Sequence, residues 1–449
     1  MPAADVARAA PVSDEERLRI VDLLRGAALL GILLMNIDGF AQPAYFTEPF
    51  RADPSSLDFW ASLLNRVFFE GKMRALFGMV FGAGVFLFVA GKARTGRPAR
   101  ALFYRRMAWL VLFGVVHAWL LLWFGDILYL YGIAGMIVYL LRNVPPRYLV
   151  LGVPLVALLD FGTGTLFYRG IREKRIAYVA AQRAEAEHRP PTEAEAKAVA
   201  AWREVEKTLV PSRADVAENT RKMRGGYAEV ATVVRPLARQ FETTLALVGL
   251  PDSLALMLLG IALLRMGFLR GDWPARRYAW VAAAGYGLGI PLAAYERYDA
   301  VLHHPTLEAS LAYLVVTPVE WVNLIYPFQR ILLVLAHVSV LVLLHRSGAL
   351  AGLLRRLRCV GQMALTNYVL HTVACALFFY GYGLGMYGRL AYRETFLVVL
   401  AIWAFQLVAS PWWLSRFRFG PLEWLWRTLT YLRVQPMRRP ASVLPAAPA

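Results

Sequence analysis

Charge is what this sequence has least of for its length. Lys, Arg, Asp and Glu supply only 18% of 449 residues, while 58% are apolar. A soluble domain could not cover that much apolar surface, and the apolar residues come in solid blocks rather than at an amphipathic period. Acidic residues are scarcer still, 31 against 49 basic ones. The resulting +18 does not indicate nucleic acid, because Lys and Arg collect in short loops beside the apolar blocks and no aromatic-and-basic recognition motif accompanies them. There are only two cysteines, Cys359 and Cys375, at the start and inside of one predicted helix. About four turns separate them, so they cannot pair, and a disulfide scaffold is excluded. No metal site is expected: His303-His304 has no accompanying ligand set. Gly-x-Ser-x-Gly, P-loop and His-Glu-x-x-His patterns are missing, and the two Gly-Tyr-Gly-Leu-Gly runs lack the strand-to-helix turn of a dinucleotide fingerprint.

What is present is a series of blocks long enough to cross a bilayer, which takes about 20 mostly apolar residues. The spans predicted are 20–40, 73–90, 107–124, 127–141, 148–167, 244–265, 278–295, 328–344, 360–380 and 395–414. The fold class expected is therefore all-α: a polytopic transmembrane helical bundle of about ten spans with no β-sheet. The stretch 306–323 is read as re-entrant or interfacial, since Pro318, Glu320 and Asn323 make it a poor lipid-facing helix and an eleventh crossing would expose Arg355, Arg356 and Arg358 outside.

Orientation follows from the arginines. Lys92, Arg94, Arg97, Arg100, Arg105 and Arg106 fall between two spans with no acidic residue among them, which marks that loop as cytoplasmic. Both termini then lie inside. The first nineteen residues lack the cleavage region of a signal peptide, so the first span is expected to stay as an uncleaved anchor. The chain divides into a five-span half (1–168), a hydrophilic, mostly helical outer loop (169–242), a second five-span half (243–434) and a flexible tail (435–449). Within the loop, Arg189-Pro190-Pro191 ends one helix, and Thr192 with Glu195 forms a capping box for the next. The halves enter the membrane from opposite sides, and the paired Gly-Tyr-Gly-Leu-Gly runs are the one sequence echo of an inverted repeat.

Polar groups inside the spans are the functional candidates. Asp22 and Arg25 are i,i+3 neighbours, and Arg25 shares a helix face with Asn36, eleven residues on. Arg106 and His117 repeat that spacing, with Gly114 leaving room beside the histidine; Arg105 adjoins. An imidazole at that depth suits acid, base or ligand chemistry. Asp126 follows a short turn, about 9 Å nearer the outer surface along an ideal helix, which leaves direct contact open. Lys72 and Arg74 open the second span beside Gly78, Gly82 and Gly84, a close-packing seam; the charges suit a headgroup, a carboxylate or simple anchoring. Gln362, Thr366, Asn367 and His371 crowd one span, for interhelical hydrogen bonding or to line a cavity together with Glu320. Pro421, Glu423, Trp424, Trp426 and Arg427 describe a surface helix at the cytoplasmic face.

The strings Asp22-Leu-Leu-Arg25-Gly26, Gly71-Lys72-Met-Arg74, Phe81-Gly82-Ala-Gly84, His117, Gly125-Asp126, Gly361-Gln-Met-Ala-Leu-Thr366-Asn367 and Phe419-Gly420-Pro421-Leu-Glu423-Trp424 span nearly the whole chain. Together they resemble the YeiB family of uncharacterised bacterial membrane proteins, whose C-terminal half is a domain of unknown function. That family is similar in turn to multi-spanning membrane acyltransferases through the Asp22-x-x-Arg25-Gly26 start of the first helix. Those enzymes carry a histidine near the outer end of that helix, where this sequence has none between Asn36 and Glu48. The resemblance thus implies an inner-membrane acyltransferase with His117 as base, Asp126 beside it, and Arg25, Arg105 and Arg106 attracting an anionic donor. No permanently bound cofactor is expected; acyl-CoA or another acyl donor would be a substrate. The partners expected are the bilayer and a lipid, sugar or small-molecule acceptor. The alternatives are a small-molecule or lipid transporter or flippase, and a membrane scaffold docking through the outer loop.

Overall fold

The computed structural model describes residues 19–43, 53–93, 99–209 and 212–439; Arg94, Arg97 and 440–449 lie outside them. Among the described residues the chain is all-α, with no sheet beyond one isolated bridge, Phe417 to Arg438. Helix α1 (Arg19–Ala41) is the axis of the bundle and is buried along most of its length. Around it stand α3 (Lys72–Ala93), α13 (Ile325–Ser347), α14 (Ala351–Gln362), α15 (Ala364–Phe379) and α16 (Tyr392–Arg416); α10 (Ala246–Arg265) packs against α3, and the short α2 (Leu57–Phe68) against α16.

Glycine decides how closely these helices approach. A Cβ on Gly82 would collide with the Met257 carbonyl of α10, and one on Gly260 with the Met79 carbonyl of α3. Gly26 of α1 is pressed in the same way against Leu357 of α14, and Gly361 against the Asp22 carbonyl. With no hydrophobic driving force between helices in lipid, such close packing is one of the attractions that remain, beside interhelical hydrogen bonds.

Among the described residues, seven helices are long and apolar enough to cross a membrane: α1, α3, α4 (Ala99–Trp119), α6 (Pro146–Ala186), α10, α13 and α16. The bent pair α14–α15 makes an eighth if it crosses as one. Leu151, Leu155, Leu158 and Leu166 on α6 and Leu397, Leu400 and Phe405 on α16 are exposed, as lipid-facing side chains must be. The chain is a multi-pass membrane protein.

The structure departs from the ten predicted spans in three places. Helix α5 (Leu128–Leu141) has 14 residues, about 21 Å against a hydrocarbon core of about 30 Å. Helix α11 (Ala275–His303) is long enough, but Gly285, Tyr286, Gly287, Gly289 and Pro291 dilute the apolar character of its middle. The span predicted at 360–380 is two helices meeting at 87° across Met363, which also puts Cys359 and Cys375 on different helices, both free. Helix α12 (Leu307–Val316), where a re-entrant segment was read, is a short apolar helix of 10 residues.

The described residues of 169–242 are mostly helical. Helix α6 runs 41 residues, about 60 Å, twice the hydrocarbon thickness, so its second half projects beyond it. It ends just before Pro190, and Thr192 and Glu195 start α7 (Glu193–Leu209): Thr192 N donates to Glu195 Oε2 at 2.7 Å and Glu195 N to Thr192 Oγ1 at 3.3 Å. Trp202 of α7 is fully buried against Tyr178 of α6. Helices α8 (Arg213–Met223) and α9 (Tyr227–Gln240) fold back onto the bundle, and Val230, Val234 and Ala238 join the core around Phe40 and Phe379. At the other end α17 (Pro421–Tyr431) starts at its proline, and the chain stays packed to Arg439, with Arg418 N donating to Met437 O at 2.9 Å. The flexible tail expected from 435 thus has its first five residues held.

The two Gly-Tyr-Gly-Leu-Gly runs are not structural equivalents. The first is inside α11, and the second forms the turns after α15 beneath the α8–α9 corner, where Gly381 N donates to Met223 O.

Candidate functional site

Helix α4 stops at Trp119, short of the 124 predicted, and at Leu122 the backbone enters the left-handed region (φ 58°) and turns back. The turn is clamped from two sides. Trp123 stacks on Phe40 of α1 at 3.9 Å, and from the α9 side Tyr227 Oη donates to the Leu120 carbonyl at 2.8 Å. Trp119 Nε1 donates to Glu242 Oε2 at 2.7 Å, fixing the end of α4 itself. The reversal carries Asp126 back beside His117.

Asp126 Oδ1 is 2.7 Å from His117 Nδ1, and its Oδ2 accepts from Tyr129 N at 2.8 Å. On the other ring edge, Nε2 is 2.7 Å from Thr372 Oγ1 of α15. Both side chains of the His117–Asp126 pair are 1% exposed. An ionised carboxylate offers only acceptors, so Nδ1 carries the proton toward Asp126 and Nε2 is left to accept the Thr372 hydroxyl. The Tyr368 ring lies 5.1 Å from the imidazole, and its hydroxyl accepts from Ile127 N. Gly114 is the position that admits this: a Cβ there would meet the Asp126 carboxylate and the Tyr129 backbone. The order is hydroxyl, imidazole, carboxylate, the geometry in which an imidazole acts as an oriented base.

A charged cluster lies between α3, α10 and α13. Arg74 Nη2 donates to Asp252 Oδ2 at 3.0 Å, and Arg330, 3% exposed, grips the same carboxylate with both Nη atoms. Lys72 is buried nearby and donates to the Arg66 carbonyl at 2.6 Å; Gln329 donates to Glu296 at 3.2 Å.

At the end where α1 begins, Arg25 Nη1 donates to Asp22 Oδ1 at 2.7 Å and to the Gly361 carbonyl at 3.4 Å. The guanidinium of Arg106 lies 3.5 Å from the Trp426 ring of α17, with Arg105 half-buried beside it. Helices α15 and α17 cap each other: Glu423 accepts from Leu365 N, Thr366 N and Thr366 Oγ1, while Thr366 Oγ1 accepts from Leu422 N. Burial raises the Glu423 carboxyl above the ordinary range.

Residues 263–433 match the family described as "Protein of unknown function (DUF418)". That match takes in most of the second membrane half. The similarity reaches beyond it. "Uncharacterized protein YxaH" of Bacillus subtilis (strain 168) is 28% identical over 96% of this chain and 99% of its own length. "Uncharacterized protein YeiB" of Escherichia coli (strain K12) is 29% identical over 92% and 96%. An "Uncharacterized 39.9 kDa protein in amylase 3'region" of Bacillus acidopullulyticus is 24% identical over 95% and 97%. No solved structure matches. Homology over nearly the full length, to bacterial proteins, agrees with the resemblance drawn from the motif strings.

The part that matches the family model supplies Asn367, His371, Thr372 and Gln362, and the rest of the chain His117 and Asp126. Asn367 and His371 belong to an interhelical lattice: Asn367 donates to Ser410 Oγ at 3.0 Å, His371 Nε2 is 2.9 Å from Gln406 Oε1, and Gln406 donates to the Asn367 carbonyl at 3.0 Å. Glu320 accepts from Asn323 at 2.9 Å and lies 3.7 Å from His304. Among the described residues no hydrogen bond or ion pair links Glu320 to Asn367 or His371. Asn36 is half-buried on α1.

Sequence reasoning passed over Thr372, Asp252 and Arg330. The last two carried a usable signal, since each is an ionisable residue inside a predicted span. Thr372 carried none, because its partner is 255 positions away.

Proposed function

We propose that this protein is an acyltransferase-like enzyme of the bacterial inner membrane. It would move an acyl group from a donor such as acyl-CoA to a lipid, sugar or small-molecule acceptor. An even number of crossings with both termini cytoplasmic completes the reading, and the arginines at the start of α1 and on α14 favour that side for this end. The observation that carries it is the chain Thr372, His117, Asp126, with 2.7 Å at each link.

In this reading Asp126 holds the imidazole so that Nε2 faces away from it, and Thr372 Oγ1 marks where the acceptor's hydroxyl or amine stands. Nε2 takes the acceptor's proton as its oxygen or nitrogen attacks the acyl carbonyl; the bond to the donor breaks, and the proton passes to the leaving group. Arg25, Arg105 and Arg106 attract the anionic donor, with Asp22 holding Arg25 in place.

The test uses membrane vesicles containing the full chain and radiolabelled acyl-CoA, followed by extraction of lipids and glycans. Label should enter an acceptor with the wild type and not with His117→Ala at equal expression. Equal incorporation by the variant would remove the mechanism. A transporter is the second reading, favoured by the buried Lys72 and Arg330 and the part-buried Arg74 and Asp252, since ionisable groups inside a bundle mark pathways. Uptake into proteoliposomes with no acyl donor would establish it instead.

A further inference from the structure

The end of the bundle where α1 begins has a feature that the histidine relay does not use. Helices α1, α14 and α16 border a cleft of about 730 Å³ there. Arg19, Arg355, Arg356, Arg358 and Arg439 line it, and so do the apolar Val408, Pro411, Trp412 and Leu414. Asp22 is the one carboxylate on the lining, and its Oδ1 already receives Arg25. A second hollow of about 220 Å³ shares Arg19, Arg355 and Arg358 with the first.

Membrane topology alone asks for arginines near this end, not for five of them around one hollow. Arg276 and Arg277 show the ordinary arrangement: they are exposed at the start of α11 and line neither hollow. Like charges gathered around a cleft repel unless an anion sits among them, and the guanidinium fork matches phosphate oxygens. The apolar side of the cleft adds a second constraint. Val408 and Trp412 are exposed and continue the lipid-facing stripe of Leu397, Leu400 and Phe405 along α16, all on one face of the helix. A ligand with its charge among the arginines would have an apolar path leading from it along the protein's outer wall.

We propose that this cleft binds a phosphate-bearing amphiphile, with the phosphate among Arg19, Arg355 and Arg358 and the apolar chain along the α16 stripe. A bilayer phospholipid and a long-chain acyl-CoA share that chemistry. The assignment stands apart from the transfer reading, because binding is measured without turnover and His117→Ala should bind like the wild type.

Two arms separate the sources. Palmitoyl-CoA, with coenzyme A alone beside it, is titrated into the full-length protein in detergent. Phosphatidylglycerol against phosphatidylcholine retention is read by native mass spectrometry from nanodiscs. Binding in either arm should fall at least tenfold in the R355A/R358A double variant. It should stay within twofold in R276A/R277A, which removes the same charge from the same end outside the cleft. The proposal fails if the wild type retains neither probe, if R355A/R358A binds like the wild type, or if R276A/R277A loses as much. Coenzyme A binding as tightly as palmitoyl-CoA would also overturn it, because the apolar stripe would then contribute nothing.

Discussion

Replacing Asp126 by Asn tests the relay without changing its shape. The carboxylate accepts from His117 Nδ1 at 2.7 Å and from Tyr129 N at 2.8 Å, one donor per oxygen. An amide has only one accepting oxygen. If it faces Tyr129 N, the amide NH2 faces Nδ1, and the imidazole must move its proton to Nε2, where Thr372 Oγ1 lies 2.7 Å away and must then accept. If the amide turns the other way, the tautomer survives but the Tyr129 N–H faces another donor. The first arrangement keeps its contacts but exchanges hydrogen bonds to a charge for neutral ones, and the second leaves the Tyr129 N–H unpaired; either costs about 2 kcal/mol, or roughly thirtyfold in the folding equilibrium. The loss of transfer should be much larger than the loss of stability, because relays with an inverted tautomer fall by about 10⁴ in rate. Selective ¹⁵N labelling of the seven histidines distinguishes protonated from unprotonated ring nitrogens, with His117→Ala assigning the signal. The expected result is an Nδ1–H tautomer in the wild type, inverted in Asp126→Asn, with acyl transfer gone. An unchanged tautomer together with unchanged transfer would refute the relay.

Two further predictions concern the frame. Gly82→Ala should destabilise by about 1–3 kcal/mol in detergent unfolding, because its Cβ meets the Met257 backbone and α3 and α10 must separate. Gly84→Ala, whose nearest neighbour is Arg25 Nη2 at 3.8 Å, should fall within about 0.5 kcal/mol of the wild type, and equal effects at the two sites would contradict the seam. In the projecting helices, the Arg189 hydrogen bond and the Thr192 N–H pull the Glu195 carboxyl down to about 2. A depressed acid contributes above its unfolded value and is lost as pH falls, so hydrogen-exchange protection at the start of α7 should hold at neutral pH and decline between about 4.5 and 2. Glu195→Gln should flatten that dependence.

Much of the frame was legible because lipid leaves few options. Solid apolar blocks gave α1, α3, α10, α13 and α16 to within a few residues, and Pro190-Pro191 with Thr192 and Glu195 gave the break between α6 and α7. Periodicity cannot show an 87° bend at Met363, since the residues on both sides are equally helical and the bend is fixed by Glu423, about sixty positions away. The same limit hid the site. A straight helix to 124 carries Asp126 well out of reach of His117, whereas the actual turn at Leu122 depends on Phe40 and α9 clamping it from distant parts of the chain. Asp22 with Arg25, and Gly114 beside the histidine, were readable because those relations are local or steric.

The bend at Met363 gives the motif strings a common geometry. Gly361 lies against Asp22 and Gly26 of α1, and Thr366 and Glu423 cap the helix that starts just beyond the bend. From Ala364 to Thr372 that helix advances about 12 Å, the distance from its capped start to the hydroxyl facing His117. One short rigid helix therefore joins the end that carries the arginine cleft to the buried imidazole. A shift of α14 on binding an anion would have to bend or carry the Met363 hinge, while the Glu423 carboxylate, holding three donors on the α15 side, resists independent movement of α15. Coupling between cleft and relay then depends on whether α14 moves relative to α1, and the backbone contact of Gly26 with Leu357 leaves little space for it to do so without sliding along the helix axis.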